Sequence, residues 1–219
     1  MELSYWESRW NKDKTGFHMP DGYPGLRECW PALEIQPNPR VLVPLCGKSV
    51  DLIFLEAEGA EVVGVEISEK AILSFFNEHD KHFETSKFAE FTIYKSGKIE
   101  FWQGDFMKYP QQDTGFDLIY DKAALVALPP GKRKTYADKL LTLTGARTSI
   151  LLHHFIYPQD EMVGPPFSVE RQEIDDYFSD QFTITQLKVN QIPSKQFLPF
   201  RRRGLKSPLS EHLLFLKPR

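Results

Sequence analysis

Short apolar runs alternate with helical patterns from residue 40 onwards, and this alternation constrains the fold more than any other feature of the sequence. Residues 40–44 and 61–65 are rich in valine and leucine, which predicts two short buried strands. Each run is followed by a serine, Ser49 and Ser68, that can cap a helix with apolar residues at helical spacing. The predicted order of elements is therefore β-α-β-α.

The alternation continues to the end of the chain and predicts five further strands and two further helices. The strands are residues 98–103, 116–120, 147–157, 182–189 and 212–217, and the helices are residues 132–143 and 169–178. Strands that alternate with helices build a parallel sheet, whereas the last two strands have no helix between them and predict an antiparallel edge pair. We expect an α/β fold with a doubly wound, mostly parallel, seven-stranded sheet and helices on both faces.

Length and composition narrow the class of protein. A chain of 219 residues can bury one substantial core but is short for two domains, so one domain over residues 1–219 is predicted. The formal charge of -3 lacks the basic excess typical of nucleic-acid binding. The most apolar stretch, residues 149–157, is too short to span a membrane. We expect small-molecule partners, with neither nucleic acid nor membrane.

The cysteines and the N-terminus indicate the compartment. Cys29 and Cys46 have no metal-ligand spacing, so neither a disulfide framework nor a zinc site is predicted, and a reducing compartment fits. The first ten residues carry acidic and aromatic side chains where a signal peptide needs a basic start and an apolar core. We expect a cytoplasmic protein without a bound metal.

The turn between the first strand and the first helix, residues 43–49, carries the main sign of a ligand. A glycine there lets the backbone approach a ligand, and a carboxylate roughly 20 residues later accepts hydrogen bonds from a ribose diol. Gly47 and Glu66 have this relationship. A strand-turn-helix with an ordinary surface glutamate has the same pattern, so the pattern alone leaves both interpretations open.

Two phosphate-binding classes fit this turn poorly. Dinucleotide sites need several glycines against the pyrophosphate, and residues 43–49 contain only Gly47. A P-loop that ends in Gly47-Lys48-Ser49 would need another glycine at position 42, which is Leu42. S-adenosylmethionine has no phosphate, and a carbonyl such as that of Leu45 suits its ammonium group. The turn therefore favours a methyl donor.

Two further pairs of residues follow predicted strands. Gly104 and Asp105 follow the third strand, where an adenine edge is expected, although Asp105 is equally suited to capping a turn. Asp121 and Lys122 end the fourth strand, at the carboxyl edge of the sheet where ligands of doubly wound folds bind. Their position distinguishes them from ordinary surface charges.

Several motifs in order along the chain resemble the bacterial branch of the thiopurine S-methyltransferase family. They are Trp6-Glu-Ser-Arg-Trp10, Gly16-Phe-His18, Val43-Pro-Leu-Cys-Gly-Lys-Ser49, Val62-Val-Gly-Val-Glu-Ile-Ser68, Gly104-Asp-Phe106, Asp121-Lys-Ala-Ala-Leu-Val-Ala-Leu-Pro129 and Gly164-Pro-Pro-Phe-Ser-Val169. The resemblance implies a Rossmann-like core at residues 40–219 and an N-terminal helical lid at residues 1–39. It implies S-adenosylmethionine as the donor and the sulfur of thiopurines or of aromatic and heterocyclic thiols as the acceptor.

The resemblance also implies which residues bind. The donor would be held by the Leu45 backbone, by Gly47 in the same turn, by Glu66 at the ribose and by Gly104 and Asp105 at the adenine, with Trp10 closing over it. Phe17 and His18 would line the acceptor pocket. Trp6 and Trp10 also fit a purely structural role, in which they fix a terminal helix to the core.

Lys122 departs from the family pattern, which has arginine after this aspartate. Lysine keeps the positive charge but loses the planar bidentate fork, so contacts to the donor carboxylate or to an anionic acceptor are expected to differ. We expect Lys122 to bind donor and acceptor and to stabilise the acceptor thiolate, and His18 to accept its proton. Methyl transfer by in-line displacement needs no metal.

Other residues and functions remain open at this stage. His153 and His154 face opposite sides of a strand and are interpreted as structural, and Arg201, Arg202 and Arg203 suit either an anionic substrate or a solvated loop. A methyltransferase of halide, hydrosulfide, selenium or tellurium species would share the donor motifs. A non-catalytic binding protein is disfavoured by the intact donor turn. We expect a monomer.

Overall fold

The computed structural model of the protein describes residues 3–193 and 198–219. The chain divides into two compact units, Met1–Tyr120 and Asp121–Arg219. The single domain predicted for residues 1–219 stays a prediction. The predicted lid, residues 1–39, begins with two residues that lie outside the described ranges.

The first unit is an α/β arrangement of four helices and six strands. The helices are α1 (Leu3–Asn11), α2 (Pro24–Cys29), α3 (Asp51–Ala57) and α4 (Glu69–Glu78). The strands are β1 (Arg40–Pro44), β2 (Glu61–Glu66), β3 (Glu84–Phe88), β4 (Phe91–Ser96), β5 (Ile99–Gln103) and β6 (Leu118–Lys122). The last two residues of β6 belong to the second unit. The strand order here is β3-β4-β5-β2-β1-β6. The pairs β1–β2, β1–β6 and β2–β5 are parallel, as the alternation of elements predicts.

In the first unit, the turns after β1 and β2 lie at the same edge of the sheet. Pro44 at the end of β1 pairs with Val65 near the end of β2, so these two strands end side by side. Ser68 caps α4 as predicted, since its hydroxyl accepts the amide of Ala71 at 3.3 Å. Helix α3 begins at Asp51, whose amide donates to the Ser49 hydroxyl at 3.2 Å.

The hairpin of β3 and β4 was not among the predicted strands and adds two antiparallel strands next to β5. All five residues of β3 are exposed, so this strand has no alternation of apolar and polar residues that a sequence pattern could reveal. Its side-chain packing comes instead from an aromatic contact, since the ring of Phe88 lies 5.5 Å from that of Trp102.

Among its described residues, the second unit has three α-helices and an antiparallel group of strands. The helices are α5 (Pro130–Leu141), α6 (Arg171–Phe178) and α7 (Leu198–Arg201), and the strands are β7 (Ser149–Ile156), β8 (Phe182–Ile192) and β9 (Leu209–Pro218). Strand β9 pairs antiparallel with both β7 and β8, which confirms the predicted antiparallel pair at the C-terminus. Across the two described ranges, no helix is long and apolar enough to cross a membrane.

Candidate functional site

The turn between β1 and α3, residues 45–50, has an unusual backbone. Leu45 has φ 49° and Gly47 has φ 56°, both in the left-handed region. Residues other than glycine seldom adopt this conformation, and such positions concentrate at functional sites. The amide of Cys46 donates to the carbonyl of Val65 at 3.3 Å, which holds the turn against the end of β2.

Glu66, the last residue of β2, ties this turn to the start of α4. Its side chain is nearly buried, at 5% exposure, and accepts the Gly47 amide on Oε2 and the Ser68 amide on Oε1, both at 2.8 Å. Burial raises the pKa of Glu66, and the hydrogen bonds from the Ser68 and Gly47 amides oppose the rise. The amide of Ile67 also contributes, and because a carboxylate has about four lone-pair sites, Glu66 keeps acceptor capacity for a ligand.

Trp10 packs directly on Gly47. The indole is 4% exposed, and a β-carbon built on Gly47 would lie 2.8 Å from Cζ2 of Trp10. Glycine at this position is therefore required by the indole as well as by the left-handed backbone. The expectation that Gly47 lets a ligand approach the backbone stays a prediction.

Gly104 and Asp105 lie next to Glu66 at the same sheet edge. The amide of Gly104 donates to the carbonyl of Glu66 at 2.9 Å, and a β-carbon on Gly104 would lie 2.6 Å from the ring of Phe91. The carboxylate of Asp105 accepts the amide of Met107 at 2.9 Å and so caps a short 3-10 turn. The turn-capping interpretation is thus observed, and contact with an adenine stays a prediction.

Phe17 and His18 lie on the segment that follows α1. Phe17 packs edge-on against the rings of Trp6 and Trp10, at 5.5 and 5.4 Å, and is still 43% exposed. Burial lowers the pKa of His18, and the positive charge of Lys48 lowers it further. His18 is therefore mainly neutral at pH 7 and can accept a proton.

Lys122 ends β6, and the residues around it fix its backbone. The fully buried carboxylate of Asp121 accepts the amides of Ala124 and Leu125 at 2.9 and 3.2 Å, and also the hydroxyl of Tyr136 at 2.9 Å. Burial raises the pKa of Asp121 to about 6. Asp121 thus holds the turn that directly follows Lys122.

A buried charged cluster in the second unit was missed by the sequence analysis. His153, with no exposed surface, lies 2.8 Å from Glu211 through Nε2 and Oε1, and the Asn190 amide donates to Oε2 of Glu211 at 3.0 Å. Burial and the charge of Lys122 lower the pKa of His153 to about 4. Burial alone would raise the pKa of Glu211, but the hydrogen bond from His153 and the charge of Lys122 help to hold it at about 2.

The segment Gly164-Pro-Pro-Phe-Ser-Val169 is fixed within the second unit by two arginines. Arg203 donates to the carbonyl of Pro165 at 2.7 Å and also to that of Val163. Buried Arg133 lies 5.6 Å from the ring of Phe167 and donates to Glu173 at 2.8 Å. Of the three adjacent arginines left open by the sequence, Arg203 therefore has a defined backbone contact.

The structure brings most of the predicted donor-binding residues together. A continuous set of contacts runs from Trp10 to Gly47, from Gly47 to Glu66 and from Glu66 to Gly104, all within the first unit. Phe17 joins this set through Trp10. Lys122 lies in the second unit, and its predicted action on the same ligands stays a prediction.

Solved structures with a similar fold include S-adenosylmethionine-dependent methyltransferases. The chain superposes on a crystal structure of such an enzyme from Anabaena variabilis with a TM-score of 0.68 and 17% identity, covering 99% of this chain and 95% of that one. For the 1,6-didemethyltoxoflavin-N1-methyltransferase of Burkholderia thailandensis, the TM-score is 0.64 at 13% identity, with 99% and 86% covered. These likenesses confirm the predicted α/β fold class.

Sequence comparison identifies the family. The family model for thiopurine S-methyltransferase matches residues 1–213. The thiopurine S-methyltransferase of Pseudomonas fluorescens is 42% identical over 175 residues, covering 80% of this chain and 79% of that protein. That of Pseudomonas aeruginosa is 40% identical over 189 residues, covering 86% and 87%. The resemblance seen in the motifs is confirmed, and the chain belongs to the thiopurine S-methyltransferase family of S-adenosylmethionine-dependent methyltransferases.

Proposed function

We propose that the protein transfers the methyl group of S-adenosylmethionine to the sulfur of a thiopurine or of an aromatic or heterocyclic thiol. The observation that carries this proposal is the aromatic cluster of Trp6, Trp10 and Phe17, which packs on the β1–α3 turn and leaves Phe17 43% exposed. An exposed aromatic face suits a flat acceptor ring, which packs edge-on or offset against it.

The residues of the first unit fit the donor. Glu66 accepts backbone amides on its carboxylate oxygens and keeps acceptor capacity beyond them, and a ribose diol offers hydroxyl donors. The left-handed turn at Leu45 and Gly47 would hold the amino-acid part, and Trp10 would cover it. Gly104, whose amide donates to the carbonyl of Glu66, and the following residue Asp105 would lie beside the adenine.

The donor supplies a methyl carbon on a positively charged sulfur, and its leaving group becomes neutral. The protein therefore has to align the acceptor sulfur and keep it ionised. In this proposal the cation of Lys122 stabilises the thiolate, and neutral His18 accepts the thiol proton. The lowered pKa of His18 favours the neutral imidazole, which is the form that can accept that proton.

A labelled methyl-transfer assay tests the acceptor class. We expect turnover of 6-mercaptopurine and of an aromatic thiol, with little transfer to iodide, hydrosulfide or selenite offered in parallel. Turnover of the small anions alone would replace the proposed function with that of a small-anion methyltransferase. Transfer to none of these acceptors would contradict both.

Lys122→Met tests the proposed cation, and Lys132→Met, at an exposed position of α5 in the same unit, is the matched control. We expect Lys122→Met to lower kcat/KM for the thiol at least tenfold, which corresponds to about 1.4 kcal/mol of transition-state stabilisation. The control should stay within twofold. Equal rates for the two variants would remove Lys122 from the mechanism.

The proposal includes a monomer in the cytoplasm that acts on a small-molecule thiol without nucleic acid or membrane. The formal charge of -3, which lacks the basic excess typical of nucleic-acid binding, supports it. Light scattering behind size-exclusion chromatography measures the mass, for which we expect about 25 kDa, near the 25.4 kDa of one chain.

A further inference from the structure

The N-terminal strap, residues 3–23, is fixed to the first unit on both sides of the β1–α3 turn. Near its start, Trp10 packs on Gly47. At its end, the amide of Tyr23 donates to Oδ1 of Asp51 at 2.7 Å. Phe17 and His18, the residues proposed to line the acceptor pocket, lie between these two contacts. Their position relative to the turn therefore depends on both contacts.

Asp51 is a buried carboxylate with no role in the function proposed so far. Its side chain is 1% exposed, and its second oxygen, Oδ2, accepts the hydroxyl of Tyr120 at 3.0 Å. Gly22 lies against it: this glycine has φ 73°, and a β-carbon there would lie 2.6 Å from Oδ1 of Asp51. Two separate parts of the first unit, the strap end at Gly22 and Tyr23 and strand β6 at Tyr120, thus meet at one carboxylate.

The strap between the two contacts is short and internally hydrogen-bonded. The amide of His18 donates to the carbonyl of Thr15 at 2.8 Å, and the amide of Gly22 donates to that of Met19 at 3.1 Å. Only the turn closed by Met19 and Gly22 separates His18 from Tyr23, so we expect a displacement at Tyr23 to reach His18. A shift of the strap end therefore moves the acceptor-lining residues.

We propose that Asp51 is a positioning residue for the methyl acceptor, because it fixes the end of the strap and so places Phe17 and His18 against the β1–α3 turn. This inference rests on the proposed function, since it takes Phe17 and His18 as acceptor-lining residues. A buried carboxylate is costly unless it is fully hydrogen-bonded. Asp51 meets this requirement with a backbone amide from the strap itself.

Asp51→Ala tests the proposal, with Asp117→Ala as the matched control. Asp117 also accepts a backbone amide, that of Arg40 at 2.9 Å, but at the start of β1 and away from the strap. We expect Asp51→Ala to raise the KM of the thiol about tenfold, equivalent to about 1.4 kcal/mol, with the donor Kd within twofold of wild type. Asp117→Ala should leave both constants unchanged.

Asp51→Asn is the conservative variant. Its amide oxygen still accepts the Tyr23 amide, but without the negative charge the hydrogen bond is weaker. We expect a rise of about threefold in the KM of the thiol, between wild type and Asp51→Ala. This partial rescue distinguishes positioning through one hydrogen bond from a general loss of structure, which would raise the donor Kd as well.

A second variant changes the strap side of the same contact and tests the proposal if Asp51→Ala fails to fold. Gly22→Ala places a methyl group against Oδ1 of Asp51, whereas Gly97→Ala, at φ 59°, meets only the carboxylate end of Glu56. We expect Gly22→Ala to raise the KM of the thiol and Gly97→Ala to leave it unchanged. Equal effects of the two variants would overturn the proposal.

The outcomes separate this proposal from the proposed function. Wild-type protein that methylates no thiol contradicts the proposed function, and the KM comparison is then made with whichever acceptor it methylates. An acceptor KM unchanged in both Asp51→Ala and Gly22→Ala overturns the positioning role while leaving the function intact. A parallel loss of donor and acceptor affinity also overturns it, because Asp51 would then act on the whole unit.

Discussion

Replacement of Gly47 by alanine probes the packing of Trp10 on the β1–α3 turn. The new methyl group would lie 2.8 Å from Cζ2 of Trp10, which is shorter than the ordinary contact range of 3.4–4 Å, so the indole has to move away. Gly97 provides a control with nearly the same backbone, φ 59° against 56°. Its β-carbon would meet Oε1 of Glu56, the end of a flexible side chain.

Gly47→Ala and Gly97→Ala both place alanine in a left-handed backbone conformation, but only Gly47→Ala also crowds a packed ring. An alanine in the left-handed region costs about 1–2 kcal/mol at either position. Overpacking by one methyl group adds about 1–3 kcal/mol where the neighbour is a packed ring such as Trp10. We therefore expect a loss of about 2–5 kcal/mol in the free energy of unfolding for Gly47→Ala, against about 1–2 kcal/mol for Gly97→Ala.

Urea denaturation measures these losses, and calorimetric titration with S-adenosylmethionine measures donor affinity. We expect Gly47→Ala to weaken donor binding at least tenfold, about 1.4 kcal/mol, because the Trp10 contact and the amide held by Glu66 both shift. In a Trp10→Ala background the added cost of Gly47→Ala should fall to the backbone part. The reasoning is refuted if Gly47→Ala is no more destabilising than Gly97→Ala.

Two further predictions concern buried titratable groups. Glu66→Gln turns an amide N–H towards the amide of Gly47 or Ser68. We therefore expect the free energy of unfolding, measured by urea denaturation, to fall by about 1–3 kcal/mol, and donor binding to weaken at least tenfold. A variant that binds the donor with wild-type affinity would exclude Glu66 from the donor site. For His153 the pKa of about 4 lies below the usual 6.5, so its contribution to stability is complete above pH 6.5 and is lost as the pH falls through 4. By pH 4.5 this loss of stability amounts to about 2–3 kcal/mol. Unfolding curves of His153→Gln, which can still donate to Glu211, should lack that loss; identical pH profiles would contradict the lowered pKa.

The parallel strands of the first unit were predictable because local signals and burial agree there. Strands β1 and β2 are apolar on both sides, as central parallel strands are. The serine before α4 caps it as its spacing predicts. The β3–β4 hairpin carries no such signal, since exposed β3 is stabilised by its ladder to β4 and by aromatic contacts distant in sequence. A periodic pattern of apolar residues indicates which face of an element is buried. A strand that is exposed on both faces has no such pattern and cannot be predicted from it.

In the candidate site, too, residues with a local sequence signal were predicted and residues without one were missed. Gly47 and Glu66 were found because their spacing is fixed by one strand-turn-helix-strand unit, and the structure joins them by a hydrogen bond. Asp51 was missed because an acidic residue in the first turn of a helix ordinarily faces solvent. Glu211 was missed because its partners, His153 and Asn190, are 58 and 21 residues away. Contacts between distant segments leave no local pattern.

Buried carboxylates hold the unusual backbone of both units in place. Leu45 and Ala123 have φ 49° and 62°, a conformation that costs about 1–2 kcal/mol for each non-glycine residue. Glu66 accepts the amide two residues after Leu45, and Asp121 accepts the amide directly after Ala123. A hydrogen bond to a charged group contributes about 1.5–3 kcal/mol, enough to offset that cost. Apolar packing has no direction, whereas a carboxylate fixes the amide it accepts, so these groups can hold a strained turn in one conformation.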